Sequence, residues 1–491
     1  MDIRFKGASL QHYVRTLNTA VSQEDTAEMI VPDALPDAAQ LLMTDGQSLI
    51  RGKDVHRSGV SVSGLSELFV LYRAEDGSLC RLPVDIPFET EISFNVSDDT
   101  AKIIAGVRLI SGEARILNSR KLLLRAEVCV TVSVWTPSTL RWATEAAAEG
   151  CSVEVKTEES ILRPVCAVEE KTFTAEDILP LPAGRPRGEA LLFARAALRQ
   201  EEAEQVGRKL VVRGTACVSV LYRTSGGEAA AAELQLPWSA FLELPEGEGQ
   251  LGWELAAALT GCSGELTEEG SVSLTVGGVV QAAIRRETEI HWIADAYGTD
   301  CAFTPSFETA EMDVEAVGEV KTETVSFRMD DLRKPRSLVY LAVDCGRPRQ
   351  EKESVRLPVS AKALCVMEDG SLDQLSGRGE ILCAGVGSVP EISCGEMTAA
   401  VSGGGVELRA PVSFRQTRRS CRSFSFLTGG KVEERTGTAD GPNVVLLRAS
   451  AGDSVWSLGK KKGVSCAAIR SYNQLAEGEE PAPGTLLLLA R

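Results

Sequence analysis

One stretch of this chain is written twice, 150 residues apart, and that repetition limits its possible folds more than any other feature. GVSVSGLSELFVLYRAEDGSL at 59–79 is matched by LVVRGTACVSVLYRTSGGE at 210–228. Gly64 falls over Gly214, Leu71-Tyr72-Arg73 over Leu221-Tyr222-Arg223, and Pro87-Phe88 over Pro237-Trp238. The same offset sets VPDALPDAAQLL at 31–42 over LPAGRPRGEALL at 181–192. A third, diverged copy shows in KPRSLVYL at 334–341 and in ALCVMEDGSL at 363–372, where Cys365 stands in place of the tyrosine. Several matches at one spacing predict three copies of one structural unit.

Each copy reads as strands. Leu122, Leu124, Ala126, Val128, Val130, Val132 and Val134 alternate with a more polar set, so one face is buried and the other wet. Val272, Leu274, Val276, Val280, Ala282 and Ile284 repeat the pattern, as does VELRAPVSF at 406–414. Asp76-Gly77, Gly226-Gly227 and Asp369-Gly370 lie between apolar runs and predict tight hairpins. Pro411 inside a strand predicts an edge position, because proline cannot donate to a ladder. The expected fold class is multidomain: tandem β-rich units, β-sandwich-like or α+β, with a small C-terminal βααβ domain. The boundaries read as an N-terminal extension (1–28), unit one (29–140), a linker (141–164), unit two (165–294), a degenerate unit three (318–425), a second linker (426–442) and the C-terminal domain (443–491). RWATEAAAEG at 141–150 reads as a helical linker.

A formal charge of −17 argues against a surface that wraps nucleic acid or lies on anionic lipid. The N-terminal segment lacks the apolar core of a signal peptide, and no run of about eighteen apolar residues predicts a transmembrane segment. Thirteen cysteines are scattered singly with no C-x-x-C, which suits small apolar residues in a reducing cytosol. These three features together predict a cytosolic setting.

The last fifty or so residues carry their own punctuation. VVLL at 444–447 reads as a strand, Gly452 frees a turn, and Asp453 or Ser454 can cap the helix that follows. Val455 and Leu458 form its buried stripe, Lys460, Lys461 and Lys462 occupy its last turn, and Gly463 ends it in a left-handed conformation. Ser465 caps a second helix with Ala468 and Ile469, Asn473 ends it, and Pro483-Gly484 turns the chain into the strand TLLLL.

Two resemblances attach to these residues. Val31, Pro32, Asp33, Pro36 and Asp37, then Gly64 and Tyr72, the polar hairpin, and Pro87-Phe88 resemble the SPOCS domain of spore coat assembly proteins in Gram-positive spore formers. Gly-Asp-Ser-x-Trp at 452–456, Asn473 and Pro483-Gly484 resemble the LysM domain. That likeness implies a groove for N-acetylglucosamine-containing glycans. Gly452, Asp453, Ser454, Val455 and Trp456 would form one side, and Asn473, Gln474 and Leu475 the other. Gly459 departs from the usual alanine, and the acidic loop AEGEEPA at 476–482 is longer than typical. SPOCS units followed by one LysM domain resemble SipL-type spore morphogenetic proteins. The resemblance implies a non-enzymatic scaffold in the mother-cell cytoplasm at the forespore surface, and later in the spore coat. Its LysM domain would dock on a SpoIVA-like coat basement ATPase, with other coat proteins as further partners. The alternative it leaves is a binder of peptidoglycan or lipid-linked glycan at the cortex or wall.

No residue set asks for an enzyme, a cofactor or a metal. His12, His56 and His291 lie in unrelated segments, there is no G-x-S-x-G elbow, and GDSVWSLGKKKG has the wrong glycine spacing for a phosphate loop. Asp33 and Asp37 read as turn or capping residues, since the second copy has Ala183 and Arg187 there. RQTRRSCRSF at 415–424 is a cationic cluster in an acidic chain. Arg415, Arg418, Arg419 and Arg422, with Lys460 to Lys462, form a candidate docking patch for an acidic partner or a membrane surface.

Overall fold

A computed structural model describes residues 3–95, 100–148, 150–351, 354–384, 391–394, 397–434 and 444–490. The first unit comprises β1 (Ile3–Ile30), β2 (Ala38–His56), β3 (Gly59–Ala74), β4 (Leu79–Ser93), β5 (Lys102–Asn118) and β6 (Lys121–Ala148). The second contains β7 (Val153–Leu162), β8 (Val165–Pro180), β9 (Gly188–Val206), β10 (Lys209–Thr224), β11 (Ala229–Glu243), β12 (Leu251–Leu266), β13 (Ser271–Arg286) and β14 (Thr288–Gly298). The third contains β15 (Cys301–Asp330), β16 (Pro335–Cys345), β17 (Arg349–Glu351), β18 (Ser354–Met367), β19 (Leu372–Ala384), β20 (Glu391–Cys394), β21 (Thr398–Ser402) and β22 (Gly405–Glu434). β23 (Val444–Arg448), α1 (Val455–Lys462), α2 (Cys466–Asn473) and β24 (Leu486–Ala490) complete the chain. None of the described helices is long and apolar enough to cross a membrane.

The units share one plan. In unit one the sheet β2-β3-β4 covers the sheet β1-β6-β5, and the alternating set from Leu122 to Val134 lines the core between them. Unit two packs β9-β10-β11 over β8-β13-β12, and unit three packs β16-β18-β19 over β15-β22 with its short partners. Each fully buried valine or leucine in these cores contributes roughly 1.5–3 kcal/mol. Gly77, Gly227 and Gly370 take φ of 85°, 82° and 80° in three equivalent hairpin turns, a region glycine enters without strain. Pro411 sits where β22 has passed from β21 to β20, so its missing N–H breaks no ladder on that edge.

The repeated residues now have physical roles. Gly64 faces Phe88, and Gly214 faces Trp238, across adjacent strands. A Cβ on Gly64 would lie 2.3 Å from Phe88 Cζ, and one on Gly214 2.5 Å from Trp238 Cζ2. The aromatic ring fills the space that the glycine leaves. In unit three the matching pair is Leu357 and Ile381, two medium side chains in place of none and large. Tyr72 Oη donates to Pro36 O at 3.1 Å and Tyr222 Oη to Pro186 O at 3.0 Å, tying each strand to the preceding corner. Arg120 closes the first corner by donating to Asp33, Asp37 and the carbonyls of Val31 and Leu35. Asp33 and Asp37 are therefore corner residues.

The three sandwiches meet around a pseudo-threefold hub. Met43, Phe193 and Tyr340 occupy matching bulged positions on β2, β9 and β16, facing Leu71, Leu221 and Leu364. Phe69 and Phe193 pack with ring centroids 4.3 Å apart and planes tilted by 32°. Charge lies beside this apolar centre: Arg195 donates to both oxygens of Asp45 at 3.0 and 3.2 Å and to Asp344, and Tyr340 Oη donates to Asp45 at 2.9 Å.

Three boundary expectations are corrected. Residues 3–28 are no extension, because β1 pairs with β6 along nearly its whole length. The expected helical linker at 141–150 is strand to Ala148, with Trp142 opposite Ala8 and Glu145 opposite Lys6. The run EAAAE favours helix locally, but ladder hydrogen bonds and burial of Leu140 and Trp142 override that weak preference. The expected linker at 426–442 begins as strand, since β22 runs to Glu434; residues 435–442 lie outside the described residues. Three two-stranded ribbons, the outer half of β1–β6, then β7–β14, then the outer half of β15–β22, pack together. Trp142 Nε1 donates to His291 O of the second ribbon, and Trp292 Nε1 to Ser425 O of the third. At the ribbon ends Cys151 and Cys301 are joined by a disulfide, where the cysteine pattern predicted reduced thiols. The two positions are equivalents at the 150-residue spacing, which brings them together.

Candidate functional site at the C-terminal module

The module folds in the expected order: strand, helix, helix, strand. Ser454, at φ −120° and ψ 160°, accepts from Ser457 N, and Ser457 Oγ accepts in return from Ser454 N at 2.8 Å. This reciprocal cap satisfies two backbone donors. Asp453 does not cap; its carboxylate accepts from Ser450 N and closes the turn that exposed Gly452 opens. Ser465 caps α2 by accepting from Ala468 N, and Gly463 ends α1 at φ 64°. Val455, Leu458, Val464, Ile469, Leu487 and Leu489 form the core, with Leu475 packed at its margin.

The first side of the expected groove is tied to the chain's own acidic loop. Glu480 accepts from Val455 N, the first amide of α1, at 2.6 Å, and lies 3.5 Å from Arg470. A carboxylate at a helix N-terminus is favoured by both the hydrogen bond and the dipole. Asn473 is structural: its side chain donates to Ile469 O and Leu488 O and accepts from Leu488 N at 2.6 Å. Gln474 is exposed and takes the left-handed C-cap conformation at φ 57°.

Trp456 and Lys460 turn away from that groove and hold the module to the second ribbon. Trp456 Nε1 donates to Asp295 Oδ2 at 2.8 Å, and Lys460 Nζ pairs with the same carboxylate at 2.6 Å. Burial pushes the Asp295 carboxyl up, but its bonds to Lys460 and Trp456 outweigh this and hold it below the ordinary 3.8. Tyr297 packs edge-on to Trp456 at 4.8 Å and donates to Val464 O at 2.9 Å. Burial, then Cys466, pushes the Tyr297 hydroxyl well up, so it stays a donor. Gly459 is explained by this contact. A Cβ there would lie 2.4 Å from Tyr297 Oη, so the helix forgoes up to about 1 kcal/mol of propensity to admit the ring.

The candidate cations are divided between β22 and the last turn of α1. Lys461 is exposed and Lys462 half-buried at the end of α1. Arg415, Arg418 and Arg419 belong to β22, opposite Val320, Val317 and Ala316 of β15; their side chains lie outside the described residues. Arg422 is exposed and stacks 5.2 Å over Phe424. Sequence reasoning missed Asp295, Tyr297 and Glu480. The signal for Tyr297 is where the repeat breaks, since the first copy has Ala147 there, whereas Asp295 falls over another acid, Glu145. Comparison with family models, curated proteins and solved structures finds no match for this chain.

Proposed function

We propose that the chain is a non-enzymatic assembly scaffold of the SipL type, with three SPOCS-like units as its body and a LysM-like module as its docking element. On this reading the module tethers spore coat layers to the forespore surface by binding a SpoIVA-type basement-layer ATPase from the mother-cell cytoplasm. One observation supports the choice of a protein partner over a glycan: Glu480 already occupies the amide of Val455, one of the residues that the resemblance assigns to the sugar groove. A neutral glycan seeking that amide must displace a charge-assisted bond, and both hydrogens of the Asn473 side-chain amide are already donated. A specific protein interface is expected to bury on the order of 1,200–2,000 Å².

The experiment is co-precipitation of the full chain with the basement-layer ATPase, run beside pelleting with chitin and with peptidoglycan. Retention by the ATPase alone supports the proposal. Pelleting with glycan alone refutes it and establishes the cortex or wall reading. Glu480→Ala sharpens the contrast, because it frees the Val455 amide: a glycan binder gains affinity, whereas a protein-docking module does not gain glycan binding.

A further inference from the structure

The two edges of the module's small sheet are treated differently. Among the described residues the sheet has two strands, β23 and β24. The outer edge of β24 is closed, because the Asn473 amide bonds both Leu488 N and Leu488 O. These bonds also fix the parity of the ladder. In an antiparallel pair, directly opposed residues point their backbone groups either both inward or both outward. Leu488 points outward and is opposite Leu446, so the N–H and C=O of Leu446 point outward along β23. Val444 and Arg448, two positions either side, share that direction.

The side chains of the same three residues stand on the exposed face. Val444 is 52% and Leu446 63% exposed, with Leu486 at 57% across the ladder beside Arg448. Arg448 forms no ion pair among the described residues. Native sheets usually protect such an edge with charge, proline or a covering loop. Here the edge offers two apolar side chains, then a cation, each beside outward backbone groups.

The geometry points to β23 as a strand-addition site for an extended segment of a partner protein, running antiparallel, with an acidic residue opposite Arg448 and apolar residues opposite Leu446 and Val444. This inference rests on the docking role proposed above and specifies where and what the module docks. Charge complementarity selects the partner: the residue facing Arg448 in the added strand is a cross-strand neighbour, where opposite charges attract and like charges repel. Main-chain bonds supply the affinity and the alternating side chains the selectivity. A second copy of this chain fits less well, because antiparallel self-pairing about Leu446 places Arg448 opposite Val444 and leaves both cations unmatched.

Leu446→Pro is the sharp test, since it deletes an outward N–H that the β23–β24 ladder does not use. Leu446→Lys keeps the amide and removes the apolar contact, so it decides the matter should the proline variant misfold. The labelled full chain is applied to an immobilised array of seven-residue peptides that alternate valine and threonine. Glutamate is placed near the N-terminus, near the C-terminus or nowhere. Expected is selective retention of the N-terminal glutamate series, about tenfold loss with Leu446→Pro or Leu446→Lys, and reversed charge preference with Arg448→Glu. Equal retention of all series, or unchanged binding by both Leu446 variants, overturns the inference. Wild-type dimerisation that Leu446→Lys abolishes would assign the edge to a second copy and overturn it too. If both variants still co-precipitate the basement-layer ATPase, the edge inference fails while the docking role stands. If the wild type does not co-precipitate it, the docking role fails whatever the array shows.

Discussion

Replacing Arg195 by methionine tests what holds the three units together. Asp45 is 0% and Asp344 4% exposed, and Arg195 is the cation bonded to both carboxylates. Burial alone disfavours the guanidinium's charge, but Asp344 and Asp45 more than compensate and hold it firmly protonated. Methionine keeps most of the volume and leaves two buried acids without their shared cation. Removing one partner from a buried ionic cluster costs about 3–5 kcal/mol. With unfolding entropy of roughly 2.1 cal/mol/K per residue, the whole chain carries about 1 kcal/mol/K, so a single cooperative transition falls by about 3–5 °C. Differential scanning calorimetry reads this directly. Adding Asp45→Asn and Asp344→Asn to Arg195→Met removes the stranded charges and is expected to recover more than half of the loss. A single variant within about 1 °C of wild type, or a triple variant no better than the single, would refute the assignment of the hub's stability to this cluster.

Gly64→Leu is expected to unfold the first sandwich, and adding Phe88→Ile is not expected to restore a cooperative melt, because the Cβ lies 2.3 Å from the backbone oxygen of Leu49 as well as 2.3 Å from Phe88 Cζ. Docking of the module should be acid-labile. Since the folded-state pKa of Asp295 is depressed, its contribution is fully present above the ordinary 3.8 and is lost as pH falls through the lowered value, and Asp295→Asn removes that acid transition in Trp456 fluorescence. After oxidation, a protease nick between residues 152 and 300 is expected to release no fragment until dithiothreitol is added, because Cys151–Cys301 brackets the whole second unit; two free thiols there by mass spectrometry would contradict this.

The sandwiches were legible because burial imposes a two-residue period: Leu122 to Val134 and Val406 to Phe414 alternate as their strands do. The hub was not read, although LFVLY at 68–72 carries its signal. A strand buried on both faces loses alternation, and Phe69 and Leu71 face the hub while Leu68, Val70 and Tyr72 face the core. The ribbon at 141–148 was missed for a different reason. Alanine and glutamate favour helix, and only Trp142, matching Trp292 at the repeat spacing, marks the segment as part of the unit. In the module, caps and core followed from local chemistry, since Ser454, Gly463 and Ser465 act within a few residues. The roles of Trp456 and Gly459 depend on Asp295 and Tyr297, more than 150 residues earlier, which no local pattern contains.

Covalent tandem linkage gives this body a freedom that an assembly of identical subunits lacks. At one matching hub position the three units carry Asp45, Arg195 and Ala342: an acid, a base and a neutral residue. Three identical subunits would have to put the same residue there three times and gather like charges around the axis. The chain escapes that restriction, and the same broken equivalence leaves one ribbon end, bearing Asp295 and Tyr297, to seat one module. Each molecule thereby carries its module at one defined place on the body.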